Sequence, residues 1–177
     1  QTPCQLAAAA GHQAIVDFLS LFDELMQALN ACFSDSARRL SCHIETTHVE
    51  TLCDVLQRCV THTSAEVKEL ARLKCEATKS RPRYLSSIDY GKTIAYLACA
   101  EGHEQLVSLL CQLGVNVNVM PVRYEASKKL YPAFIKAVLA DQAAVVITLL
   151  EHDPRYLYTT VKNNVLVNVM GQQYGVD

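Results

Sequence analysis

The chain has 177 residues, half of them hydrophobic, with 16 Lys and Arg against 18 Asp and Glu and a formal net charge of −2. That length and apolar fraction are enough to bury one core, which excludes disordered and fibrous classes. The only basic clusters are Arg38-Arg39, Lys79 to Arg83 and Lys128-Lys129, so the electrostatics offer no footprint for a nucleic-acid backbone or an anionic membrane surface.

In chain order, the first segment runs Thr2-Pro3-Cys4-Gln5-Leu6-Ala7-Ala8-Ala9-Ala10-Gly11-His12. From Ala14 to Phe33 the apolar residues fall three and four apart with no Gly or Pro among them, which predicts one helix of about five turns. Val49, Leu52, Cys53, Leu56, Cys59 and Val60 mark a second amphipathic stripe. Val67, Leu70, Ala71, Lys74 and Ala77 mark a weaker third over 64–78, opened by Thr63-x-x-Glu66 as a capping box. Lys79 to Arg83 reads as a polar connector, Val119 to Leu130 with Pro121 as a surface loop. Ala133 to Leu150 returns to helical spacing, and a capping helix is expected over Val161 to Met170.

Three of these segments copy one another. Gly91 to Asn118 joins Leu97-Ala98-Cys99-Ala100 to a Gly102-His103 turn, a Leu106-Val107-x-Leu109-Leu110 group and a Gly114-x-Asn116-x-Asn118 close. Thr2 to Leu19 repeats it around Gly11-His12, and Ala133 to Leu150 repeats it loosely around Asp141-Gln142, where Asp replaces Gly at a position that calls for positive φ. The turns are 102 − 11 = 91 and 141 − 102 = 39 residues apart, against a regular period of about 33.

Gly91 to Asn118 resembles one unit of an ankyrin repeat, and Thr2-Pro3-Cys4-Gln5-Leu6-Ala7 resembles that family's T-P-L-H-x-A signature with Cys4 and Gln5 in place of Leu and His. The resemblance implies an all-α solenoid of stacked helix pairs with short hairpin loops, here with an irregular helical insertion. It divides the single domain 1–177 into a first repeat with an extended helix (1–33), a degenerate repeat or helical insertion (34–87), a best-formed repeat (88–118), a divergent repeat (119–153) and a C-terminal cap or further repeat (154–177). In the middle stretch, 49–60 is expected to serve as an outer helix, and Ser87 to Gly91 as the hairpin before a helix pair. His12 and His103 are expected to hydrogen-bond neighbouring backbone.

The same resemblance implies a protein-protein interaction or intramolecular docking module of a larger intracellular, cytoplasmic protein, with no cofactor. Its partner is a protein, with no nucleic acid and no membrane insertion. Partners of such repeats meet the hairpin tips and the open side of each first helix. Those positions are Asp89, Tyr90, Lys92, Ala100 and Glu101 in the best-formed repeat, Lys128, Lys129, Tyr131, Leu139 and Ala140 in the last, and Ala9 and Ala10 in the first. The alternative is a spacer within a multidomain signalling enzyme such as a kinase, GTPase or ubiquitin ligase.

Chemistry finds little purchase. Eight cysteines in 177 residues fall mostly on apolar helical positions and read as reduced core thiols. Cys42, His43, His48, Cys53, Cys59 and His62 crowd together, and a metal-dependent enzyme would have to be built on them. They contain no C-x₂₋₄-C pair, and Cys53 and Cys59 share a helical stripe. There is no G-x-S-x-G, no phosphate loop, no apolar run of membrane-spanning length, no signal-peptide layout and no glycosylation sequon. No catalytic residue and no metal ligand is expected. The opening in mid-motif at Gln1-Thr2-Pro3 points to a longer parent protein.

Overall fold

The computed structural model describes residues 2–38, 44–78, 92–117 and 131–154. Within them the chain folds as α1 (Pro3–Ala9), α2 (Gln13–Arg38), α3 (Thr46–Thr61), α4 (Ala65–Ala77), α5 (Ile94–Glu101), α6 (Glu104–Gln112), α7 (Ala133–Leu139) and α8 (Ala143–His152). The all-α expectation holds, with no strand among the described residues. The expected hairpin at 87–91, the loop at 119–130 and the capping helix at 161–170 lie outside the described residues.

Local chemistry sets the helix starts. Thr2 accepts from the Gln5 N–H at 3.3 Å while Gln5 Oε1 accepts from the Thr2 N–H at 2.9 Å, a reciprocal capping box with Pro3 in the first turn. Thr93 caps α5 in the same way, accepting from the Tyr96 N–H at 3.2 Å. At α7 the corresponding residue is Pro132, which has no side-chain acceptor to offer.

With no Gly or Pro inside it, α2 runs for 26 residues, about seven turns rather than five. Its buried residues among those whose burial is described, Leu25, Ala28, Leu29, Cys32 and Phe33, run from its midpoint onward. In α3 the expected stripe is buried at Val49, Leu52, Cys53, Leu56 and Cys59. Two expectations for α4 need correction. Its cap is Ser64, not Thr63, because Ser64 Oγ reaches the Val67 N–H at 3.3 Å and the Glu66 carboxylate at 2.6 Å. Its buried line is Val67, Ala71 and Cys75, four apart, so Lys74 turns away and lies 5.3 Å from the Phe22 ring.

Packing builds two layers. In one, α2 meets α5 and α5 meets α7; in the other, α3 meets α6 and α6 meets α8. Pairs α2 with α3, α5 with α6 and α7 with α8 tie the layers together. A continuous core runs from Leu25 in α2 to Leu149 in α8. Each fully buried Leu or Ile there stabilises the fold by roughly 1.5–3 kcal/mol before entropy is counted. Helix α4 lies against α2, α3 and α5, and α1 packs on the first half of α2, outside that core.

Polar ties lock the irregular part to the stack. Arg72 pairs with Glu69 at 2.6 Å and Glu76 at 2.9 Å, and Glu76 Oε1 accepts the Asn116 N–H at 2.9 Å, joining α4 to the turn after α6. Arg58 of α3 pairs with Glu24 of α2.

Candidate interaction surface

Three helix-helix turns share one geometry. Gly11, Gly102 and Asp141 have φ of 75, 84 and 57°, and the next residue donates its N–H to the fifth residue before it. The bonds are His12 to Ala7, His103 to Ala98 and Gln142 to Ala137, each 3.0 Å. The acceptors are buried alanines at 8, 0 and 0 % exposure, small enough for the two arms of each hairpin to close. Asp141 takes the left-handed backbone expected of it, a conformation Asp tolerates better than most side chains.

Four of the expected partner-binding residues, Asp89, Tyr90, Lys128 and Lys129, lie outside the described residues. The other three sit deeper than a hairpin tip or an open helix face implies. Lys92 is 5 % exposed, because it leads directly into the Thr93 cap and its Nζ lies 5.8 Å from the Tyr96 ring centroid. Tyr131 is half-buried and packs on the core. Glu101, its side chain 12 % exposed, accepts the Ile44 N–H at 2.8 Å across to the segment before α3.

The same carboxylate oxygen meets His103 Nε2 at 3.2 Å. The His103 ring is therefore paired with a side chain across the Gly102 turn, not with backbone as expected, and His12 is exposed. Of the expected first-helix positions, Ala9, Ala10 and Leu139 are exposed, while Ala100 and Ala140 are half-buried. Sequence reasoning passed over Leu6, Ile15, Leu73 and Ile147, all exposed large apolar residues.

Residues 90–120 match the ankyrin-repeat family model. The match covers α5, α6 and the turn after them, the pair with the most completely buried helices. The match is consistent with a divergent ankyrin-repeat protein. No curated protein and no solved structure matches it. Ankyrin repeats are non-catalytic modules that mediate protein-protein interaction.

All seven cysteines among the described residues are free thiols, and all but Cys4 are buried. Burial pushes Cys53 and Cys111 up to about 11, and Cys75 and Cys99 up to about 12, so these sulfurs stay protonated and poorly nucleophilic at neutral pH. Cys42 and His43 lie outside the described residues. Among the described residues no group of three His, Cys, Asp or Glu side chains is placed to hold a metal, and no helix is long and apolar enough to cross a membrane.

Proposed function

We propose that the chain is a protein-binding or intramolecular docking module that works through its hairpin tips and the open side of its first-layer helices. One observation carries this reading: Leu139, at the turn end of first-layer helix α7, is 48 % exposed. Leu139 takes the place that Ala100 holds in α5 (139 − 100 = 39, the spacing of the two turns), and no described helix covers it. A large apolar side chain on the binding side of a stacked repeat is the kind of group a partner desolvates.

In this reading Asp89, Tyr90, Lys128 and Lys129 supply the polar rim at the hairpin positions, while Lys92, Glu101 and Tyr131 brace it from beneath. The chain is one domain, 1–177, in which 34–87 is a degenerate repeat carried by α3 with α4 as an added helix; the packing of α3 on α6 supports it. The module is not an enzyme, binds no nucleic acid and resides in the cytoplasm. The free thiols fit a reducing compartment.

The test compares proteins retained from a cell extract by the chain and by a Leu139→Glu, Lys128→Glu, Lys129→Glu variant. A protein held at stoichiometric levels by the first and lost by the second, with the melting temperature unchanged, supports the docking surface. Equal recovery by both, or no specific protein, favours the spacer reading.

A further inference from the structure

Helix α7 shows one narrow stripe to the solvent. Ala133, Phe134, Ile135 and Ala137 are buried, and Val138 packs on the core. What remains of the helix and its caps is Pro132, Lys136, Leu139 and Ala140, spaced four, three and one apart, which sets them on one side of the helix. Leu139 is 48 % exposed, and the other three are half-exposed. Lys136 and Leu139 are therefore neighbours on an otherwise apolar strip, a cation beside a large aliphatic side chain.

The cation is particular to this unit. Lys136 stands where α5 has Leu97 (136 − 97 = 39), a residue buried at 0 % exposure. Among the described residues the ion pairs are Arg58 with Glu24, Arg72 with Glu69 and Glu76, and His103 with Glu101; Lys136 belongs to none of them. The α5 counterpart of Ala140 is Glu101 (140 − 101 = 39), and its carboxylate is taken up by the Ile44 N–H and His103. In the sequence, the charged residues between Ala126 and Ala140 are Lys128, Lys129 and Lys136, all cations.

We propose, resting on the docking reading above, that this face takes an acidic peptide segment of a partner protein, with a carboxylate to meet Lys136 and a large apolar residue to cover Leu139. Charge decides among the possible occupants. A second copy meeting the face about a two-fold axis would bring each Lys136 toward its counterpart. Residues 155–177 of the chain itself carry Arg155 and Lys162, with Asp177 as their one acid, and so bring cations to a cation. A nucleic acid is held by several cations along its phosphates, whereas this strip has one, and a phosphate backbone offers nothing to Leu139. An acidic segment with an apolar residue close by satisfies both side chains: covering Leu139 supplies affinity, and pairing with Lys136 supplies selectivity.

A library of random peptides displayed on phage, panned against the 177-residue chain, tests this. Enriched sequences should carry Asp or Glu close to Leu, Ile, Phe or Met, and panning against Lys136→Glu should shift the enrichment to Lys and Arg. A synthetic peptide of an enriched sequence, followed by fluorescence anisotropy, should bind Leu139→Ala about tenfold more weakly and Lys136→Glu about fivefold more weakly, with Lys136→Arg close to the unchanged chain. Neither residue belongs to the main core, and far-UV circular dichroism with a thermal melt checks that each variant is folded. The two failures differ. Enriched peptides that lack acidic residues, or that bind Lys136→Glu undiminished while Leu139→Ala weakens them, overturn the acidic partner and leave the docking surface standing. No enriched peptide, or peptides indifferent to both Leu139 and Lys136, overturns the docking surface and the acidic partner with it.

Discussion

The Gln142 side chain lies across the Cα of Gly102, so that a Cβ on that glycine would fall inside the contact distance of the Gln142 carboxamide. The turn of one helix pair is thus capped by the turn of the next. At Gly11 the corresponding space is empty.

Gly102→Ala should therefore destabilise the chain by about 1–2 kcal/mol, chiefly because φ of 84° is strained for any residue with a Cβ. The carboxamide is the mobile end of a flexible side chain and can swing aside, so most of the loss should persist in a Gln142→Ala background. Urea unfolding of the four variants in the cycle reads this. If the loss vanishes when Gln142 is removed, the clash rather than the dihedral was responsible.

Glu101 joins two units through one carboxylate oxygen, to the Ile44 N–H and His103 Nε2. Its replacement by Ala should cost about 2 kcal/mol, the usual range for a hydrogen bond to a charged group that leaves a buried donor behind. Glu101→Gln, which keeps an acceptor without the charge, should cost less. Faster hydrogen exchange at the Ile44 amide, buried at 0 % exposure, is the local signature; an unchanged exchange rate would contradict the role.

Ala98 and Ala137 are both 0 % exposed, beneath the turns that bond to their carbonyls. Enlarging either to Leu should destabilise by about 1–3 kcal/mol through overpacking. Ala7→Leu should cost less, since α1 lies outside the main core. Thermal melts of the three variants would show the order.

The buried thiols give a labelling prediction. Iodoacetamide at neutral pH should modify Cys4 in the folded chain and leave Cys53, Cys75, Cys99 and Cys111 unmodified until denaturant is added, since each of those is buried and raised to about 11 or 12. Peptide mass mapping reads each site. Labelling of Cys99 in the native chain would mean that the α5 and α6 pair opens.

Acid should weaken the fold in a defined direction. The Arg58 guanidinium hydrogen-bonded to Glu24 holds that carboxyl below its usual value, and Glu66 and Glu69 are lowered by Ser64 and Arg72. A carboxyl lowered in the folded state adds stability above its unfolded value, about 4.3, and loses it as pH falls through the folded value. The difference in melting temperature between the chain and Arg58→Ala should be present at pH 7 and close toward pH 3. A difference that persists in acid would show that Arg58 acts through packing instead.

The repeat itself was legible in the sequence because its information is local. Positive φ at Gly11, Gly102 and Asp141 and the stripe of α3 are each set by a few neighbouring residues and are readable from the sequence. Ser64 displaced Thr63 as a cap because either hydroxyl satisfies the local rule, and only the helix start decides between them. Glu101 lies deeper than its helix position implies for a different reason. Its place on the open side of α5 is a helix-face argument, but its partner Ile44 is 57 residues away, and no periodicity reports a contact of that separation.

By itself, then, the sequence determined which segments are helices, where the ankyrin-like turns fall and that the thiols belong inside, because dihedral preference and apolar spacing act over a few residues. Only the tertiary structure decided which faces are covered. Leu6 and Leu97 are the same residue at the same repeat position, yet one is 53 % exposed and the other 0 %. The difference is one of neighbours: α5 packs against α2, α4, α6 and α7, whereas the main contact of α1 among the described residues is with α2.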